Sequence, residues 1–171
     1  MSNVLFGSVN NCPLTMIDDV LSEHKNVRSL VAEDLSQQIV TLSSAIAEIN
    51  KLWGELMVLA LPSTDPSDNG ERVDLTDGGA IEAILNQLTV QIRTALDDPS
   101  ADYTEITAGE ETPNYAQLQQ MNASMTALSD KIQVDIDTYQ QEFKNEMTTI
   151  TSTQEEVKEI RRTIISLSQP G

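Results

Sequence analysis

In the last third of the chain, apolar residues recur every three or four positions for more than fifty residues with no interior proline or glycine. From Tyr115 the row runs through Leu118, Met121, Met125, Leu128, Ile132, Ile136, Tyr139, Phe143, Met147, Ile150, Val157, Ile160, Ile164 and Leu167. This spacing predicts one uninterrupted helix with a single apolar stripe. At 1.5 Å per residue it would be roughly 80 Å long, far more than a compact domain of 171 residues needs. Such a stripe requires cover from another helix or from further copies of the same chain.

A second organised segment lies near the start. Leu35, Ile39, Leu42, Ile46, Ile49, Trp53, Leu56 and Ala60 alternate at spacings of 4 and 3, a strict heptad seam that predicts a coiled-coil helix over 27–61. Val31, Ala45, Leu52 and Leu59 occupy an adjoining position, so the apolar face widens toward the C-terminal end. Leu52 to Leu61, including Met57, is apolar almost all round, which one partner helix cannot cover. Either the middle region lies over it or another subunit does. Leu52, Met57 and Leu59 are therefore candidate interface residues.

Two prolines, a glycine and short polar residues over Pro62 to Gly70 stop the first helix. A shorter amphipathic helix follows from about Gly79 to Leu96, with Thr76 or Asp77 as its expected cap and Asp97-Asp98-Pro99 as its end. Residues 100–114 read as loop, with at most a short strand over Asp102 to Thr107. Thr112-Pro113-Asn114 then supplies a helix start with proline at the first position. Residues 62–114 carry twelve acidic and two basic side chains, so most of the net charge of −17 sits there. Repulsion and hydration of those carboxylates predict an exposed insertion between two packed helices. The expected fold is thus all-α, two long helices in an antiparallel coiled coil with an acidic, partly helical insertion, in a single structural domain.

Composition removes several functional classes. Ten basic residues against 27 acidic ones give no phosphate-binding surface, which argues against nucleic acid and anionic membrane. The single cysteine, Cys12, and single histidine, His24, leave no disulfide framework, cysteine zinc cluster or catalytic triad. Asp65, Asp68, Asp74 and Asp77 lack the alternating ligands, central glycine and terminal glutamate of a calcium loop. No cofactor, metal or catalytic site is expected. The longest apolar run, Leu56 to Leu61, is far shorter than the roughly 18 residues of a membrane span. Residues 1–26 read as a flexible segment whose Ser- and Asn-rich start has the composition of a non-cleaved export signal.

The non-apolar face of the long helix carries Gln119, Gln120, Asn122, Thr126, Gln133, Thr138, Gln141, Asn145 and further amides and hydroxyls through Thr153. An isolated helix in water normally favours Glu and Lys pairs there. Uncharged groups suit a face that packs on neighbours or lines a wet channel. Ile132 to Phe143, Ile136 to Met147 and Tyr139 to Ile150 are each eleven apart, a 3-4-4 repeat that predicts straighter packing than a heptad coil.

The layout of helical arm, acidic middle and long C-terminal helix, ending in Val157-Lys-Glu-Ile-Arg-Arg-Thr-Ile-Ile-Ser-Leu-Ser-Gln-Pro-Gly, resembles the EspA-type filament subunits of bacterial type III secretion systems. The closest textual part is Ile160 to Ser168, and the stripe weakens at Thr153 and Gln154. The resemblance implies an extracellular, secreted protein that polymerises into a hollow sheath extending the needle. It implies partners among its own copies, a dedicated secretion chaperone, and needle and translocator proteins. Val157, Ile160, Arg161, Arg162, Ile164 and Leu167 then become candidate subunit contacts, the arginines answering acidic groups on neighbours. A soluble adaptor, either a needle-tip protein or an acidic helical chaperone, needs exposed helical stripes as well.

Overall fold

The first helix is longer than its heptad seam suggests. In a computed structural model describing residues 13–68 and 70–168, α1 spans Pro13–Ala60 and α4 spans Tyr115–Ser168. Between them lie α2 (Ala80–Leu96) and the one-turn helix α3 (Thr104–Thr107). The fold is all-α. Helix α1 starts at Pro13 rather than near residue 27 because the heptad continues upstream in polar form, through Asp18, Leu21, Lys25, Arg28 and Ala32. The export-signal reading of residues 1–11 lies outside the described residues.

Packing divides the chain into two units, Met1–Leu35 with Gln141–Gly171, and Ser36–Gln140. The larger holds the main hydrophobic core. There α1 supplies Leu42, Ala45, Ile49, Leu52, Trp53 and Leu56, and α4 supplies Leu118, Met121, Met125, Leu128, Ile132 and Ile136. Ile39, Ile46 and Tyr139 pack against that core while partly exposed. The helices run antiparallel, since Trp53 Nε1 donates to Asn122 Oδ1 at 3.0 Å and Ser129 Oγ donates to Asn50 Oδ1 at 3.2 Å.

The middle region is not the exposed insertion that its charge predicts. Val73, Leu75, Ile84, Leu85, Leu88, Ile92, Ala95, Ala101 and Ile106 all belong to the same core. Leu88 and Ile92 are fully buried. The acidic residues stay at or near the surface while every third or fourth residue of α2 turns inward, so charge and burial are separated by helical phase. The cover thus provided also explains why α1 is apolar around so much of its circumference near Leu52.

Local chemistry sets the ends. Pro62, which lacks an N–H, stands in a 3₁₀ turn that closes α1. Helix α2 has Gly79 as its N-cap, without a side-chain cap bond, rather than Thr76 or Asp77. Asp77 Oδ1 instead accepts from Gly79 N at 2.8 Å. Gly78 has φ 78°, which favours glycine, and a Cβ on Gly79 would lie 2.8 Å from that same oxygen, so the Asp77 carboxylate would have to give way. Asp97, with φ 49°, ends α2 in the left-handed region. The short strand considered over Asp102 to Thr107 is α3, because Asp102 accepts from the Thr104 amide and hydroxyl and starts a helical turn. At α4 the cap is Asn114, not a proline-first start. Asn114 Oδ1 accepts from Gln117 N, and Gln117 Oε1 accepts from Asn114 N, each at 3.0 Å.

In the smaller unit, α1 and α4 again run antiparallel. Arg28 donates to Glu146 at 2.8 Å, and Arg161 Nε and Nη2 donate to the two oxygens of Asp18 at 2.9 and 3.1 Å. Among the described residues here few are buried, namely Ala32, Leu35, Ile150 and Thr153. On α4 the residues turned inward are Phe143, Glu146, Ile150, Thr153, Val157, Ile160 and Ile164, a strict 3-4 heptad. The eleven-residue repeat therefore does not persist. Met147 is 44% exposed and Glu146 takes its place, leaving one 3-4-4 step at Leu128, Ile132 and Ile136. The apparent gap at Thr153 is no gap either. Its hydroxyl donates to Thr149 O at 2.9 Å, so the side chain is buried without a lost hydrogen bond.

Candidate assembly surface

Exposed apolar side chains gather at one place on the larger unit. In the larger unit, Gly54, Val58, Leu59 and Ile84 line a shallow groove with Lys51 and Glu55 at its rim. Val58 is 72% and Leu59 41% exposed. They sit one turn beyond the position where α2 covers Leu52 and Leu56, both essentially buried. Gly54 lies in the same groove, and a Cβ there would meet nothing within 4 Å. A glycine inside a helix costs about 1 kcal/mol relative to alanine, and nothing in the surrounding fold requires it here. It leaves room for another backbone to approach. Lys51 donates to Glu48 at 2.8 Å, and this bond with the neighbouring charge raises its pKa.

The expected interface residues separate on this geometry. Leu59 is exposed as a contact would be, whereas Leu52 is buried and Met57 packs partly against the core. Leu52 is therefore an interior residue, because α2 and the middle region share its side of α1. Val157, Ile160 and Ile164 are half-buried in the seam of the smaller unit. Arg161 is held by Asp18 of its own chain, and that ion pair raises its pKa. Its guanidinium is committed within the fold, while Arg162 stays exposed. The side chain of Leu167 lies outside the described residues.

The seam residues fare differently. Leu35, Leu42, Ile49, Trp53, Leu56, Met125, Leu128, Ile132, Ile136 and Ile150 are buried, and Ile39, Ile46, Tyr139 and Phe143 are half-buried. The polar face of α4 satisfies itself locally. Thr126, Thr138, Thr148, Thr149 and Thr151 each donate to the carbonyl four residues back, and Gln133 and Gln141 donate to Asp137 and Asn145. Most of that face is exposed.

The aspartates considered as calcium ligands serve as turn acceptors. Asp65 Oδ1 accepts from the Ser67 amide and hydroxyl, Asp68 from Gly70 N, and Asp74 from the Thr76 amide and hydroxyl. Asp98 and Asp102 do the same for Ser100 and Thr104. In Asp65, Asp98 and Asp102 the hydroxyl bond, followed by the backbone bond, holds the carboxyl below its ordinary pKa. This Asp-x-Ser/Thr/Gly pattern is a signal that explains the aspartates without a ligand. Among the described residues, no three His, Cys, Asp or Glu side chains converge where a metal ion would fit, and no helix is long and apolar enough to cross a membrane. Comparison with protein-family models, curated proteins and solved structures gives no match.

Proposed function

We propose that this chain is the repeating structural subunit of a hollow extracellular secretion filament of the EspA type, with no catalytic role. The groove at Gly54, Val58, Leu59 and Ile84 carries the reading, because it combines exposed apolar side chains with a glycine the fold does not need. The layout and terminal sequence resemblance, and the many amides and hydroxyls on the exposed face of α4, support it. In this reading copies meet through the α1 groove, and amide- and hydroxyl-bearing stretches of α4 line the path of an unfolded cargo. Contacts between like-charged chains require such apolar surface, since the net charge of −17 opposes association.

Electron microscopy of the purified chain at rising concentration tests the proposal. Tubes or a long series of oligomers are expected, and Val58→Asp with Leu59→Asp abolishes them while far-UV circular dichroism stays unchanged. An adaptor, whether tip protein or chaperone, stays a monomer or small closed oligomer. A single monodisperse species at every concentration refutes the filament.

A further inference from the structure

The α1 segment of the smaller unit carries two heptad rows, and the more apolar one faces away from α4. The inward row is Asp18, Leu21, Lys25, Arg28, Ala32 and Leu35. It closes through ion pairs, Asp18 with Arg161 and Arg28 with Glu146. The outward row is Ile17, Val20, His24, Val27 and Val31, again at spacings of 3 and 4. Val20 is 64% and Val27 54% exposed, and Met16 and Leu30 beside them are 53% and 65% exposed.

An exposed row of this kind, apolar at four of its five positions, is uncommon on a protein that works alone, and its heptad phase suits a helix rather than a flat surface or an extended peptide. The edge of the row indicates which helix. Asp19, Glu23 and Glu33 border it on one side, all exposed, while on the other the inward row brings Lys25 and Arg28, the latter paired with Glu146. A second copy would bring another net charge of −17 to this acidic edge.

We propose that this outward row docks an amphipathic helix of a different protein, apolar at heptad spacing and edged with lysine or arginine. The row lies in the smaller unit, and its occupancy does not depend on the filament reading, which rests on the Val58 and Leu59 groove of the larger unit.

The test titrates the full chain into a fluorescent synthetic helix of four heptads with isoleucine and leucine in the core positions and lysine at the edges. The same helix with glutamate edges is the control. The lysine-edged helix binds about tenfold or more tighter, and its advantage shrinks as salt rises. Val20→Asp with Val27→Asp loses about tenfold or more in affinity with unchanged helicity, since both positions are exposed. Those changes make the chain more acidic, so mere charge attraction would strengthen binding instead. Val58→Asp with Leu59→Asp leaves peptide binding unchanged, which separates failure here from failure of the filament reading.

Equal affinity for the two helices, or binding indifferent to Val20→Asp with Val27→Asp, overturns the proposal. Self-association of the chain that is lost in the same variant assigns the row to a second copy and overturns it too. Peptide binding that appears only after removal of residues 2–11 assigns the row to the chain's own start and overturns it equally.

Discussion

Leu88→Ala tests whether the middle region belongs to the core. Leu88 is fully buried in α2 and shares its cluster with Ile49, Trp53 and Ile132 of the long helices. The substitution removes three carbons, worth about 2.4 kcal/mol in transfer free energy at ~0.8 kcal/mol each, and leaves a cavity that adds about 1 kcal/mol. A loss of about 3 kcal/mol is expected, equivalent to roughly 6–12 °C in melting temperature for a chain of this size. Urea unfolding followed in parallel by circular dichroism and by the fluorescence of Trp53 measures it, because Trp53 lies in the same core. Leu59→Ala is the control, since Leu59 is 41% exposed, and it should change stability by less than about 0.5 kcal/mol. A loss below about 1 kcal/mol for Leu88→Ala, or unfolding of α2 without change at Trp53, refutes the claim that α2 completes the core.

Other consequences are as direct. Ile49→Asp places an unpartnered carboxylate in a fully buried position and should cost several kcal/mol, seen as loss of helix at ordinary temperature by circular dichroism. Arg28→Ala leaves Glu146, whose side chain is 16% exposed and whose Oε2 already lacks a partner, without its cation, and should cost about 1–2 kcal/mol. Replacing Arg28 and Glu146 together by leucine should recover that loss in the same urea titration. Thr153→Val keeps the helix and puts a methyl at the seam, so it should stabilise the chain by about 0.5–1 kcal/mol in thermal melts. Asp65, Asp98 and Asp102 have lowered pKa values in the fold. Their contribution is present above the unfolded value near 3.8 and is lost as pH falls through the lower folded values. Changing all three to asparagine, which still accepts in these turns, should flatten the loss of thermal stability below about pH 4.

The two long helices are readable in the sequence because apolar periodicity over many turns has no other physical meaning than burial of one face. Of the seam from Leu35 to Leu56, Ile39 and Ile46 are half-buried and the other members buried. The start of α1 is hidden because the inward row that continues the seam is occupied by Asp18, Lys25 and Arg28, while the apolar 3-4 spacing of Ile17, Val20, Val27 and Val31 lies on a different row from that seam. Charge density misplaces the middle region. Its carboxylates are numerous, yet a helix separates them from Leu85, Leu88 and Ile92 by phase alone, and sequence-averaged charge cannot register phase. The periodicity of α2 does indicate a buried face, and nothing but the core is available to bury it. Thr153 reads as a weak point for its hydroxyl, which in the fold bonds its own helix and lets the methyl group act as an apolar contact. Of the candidate interface, Leu59 does lie on the surface, but Arg161 is not free because its partner, Asp18, lies 143 residues away in sequence.

The contrast between a seam closed by ion pairs and one filled with isoleucine and leucine has a consequence for amide hydrogen exchange. Exchange through local opening costs only what the opened segment buries. Among the described residues of the smaller unit that is Ala32, Leu35, Ile150 and Thr153 with half-buried Phe143, Val157, Ile160 and Ile164, together with the solvent-accessible Asp18–Arg161 pair that added salt weakens. Amides of residues 15–32 and 146–165 should therefore exchange by a low-energy opening that salt accelerates. Those of α2 and of α4 around Ile132 should wait for an opening that exposes the whole apolar core. One continuous helix would then show two protection levels along its length, with the break where the inward row turns from charged to aliphatic.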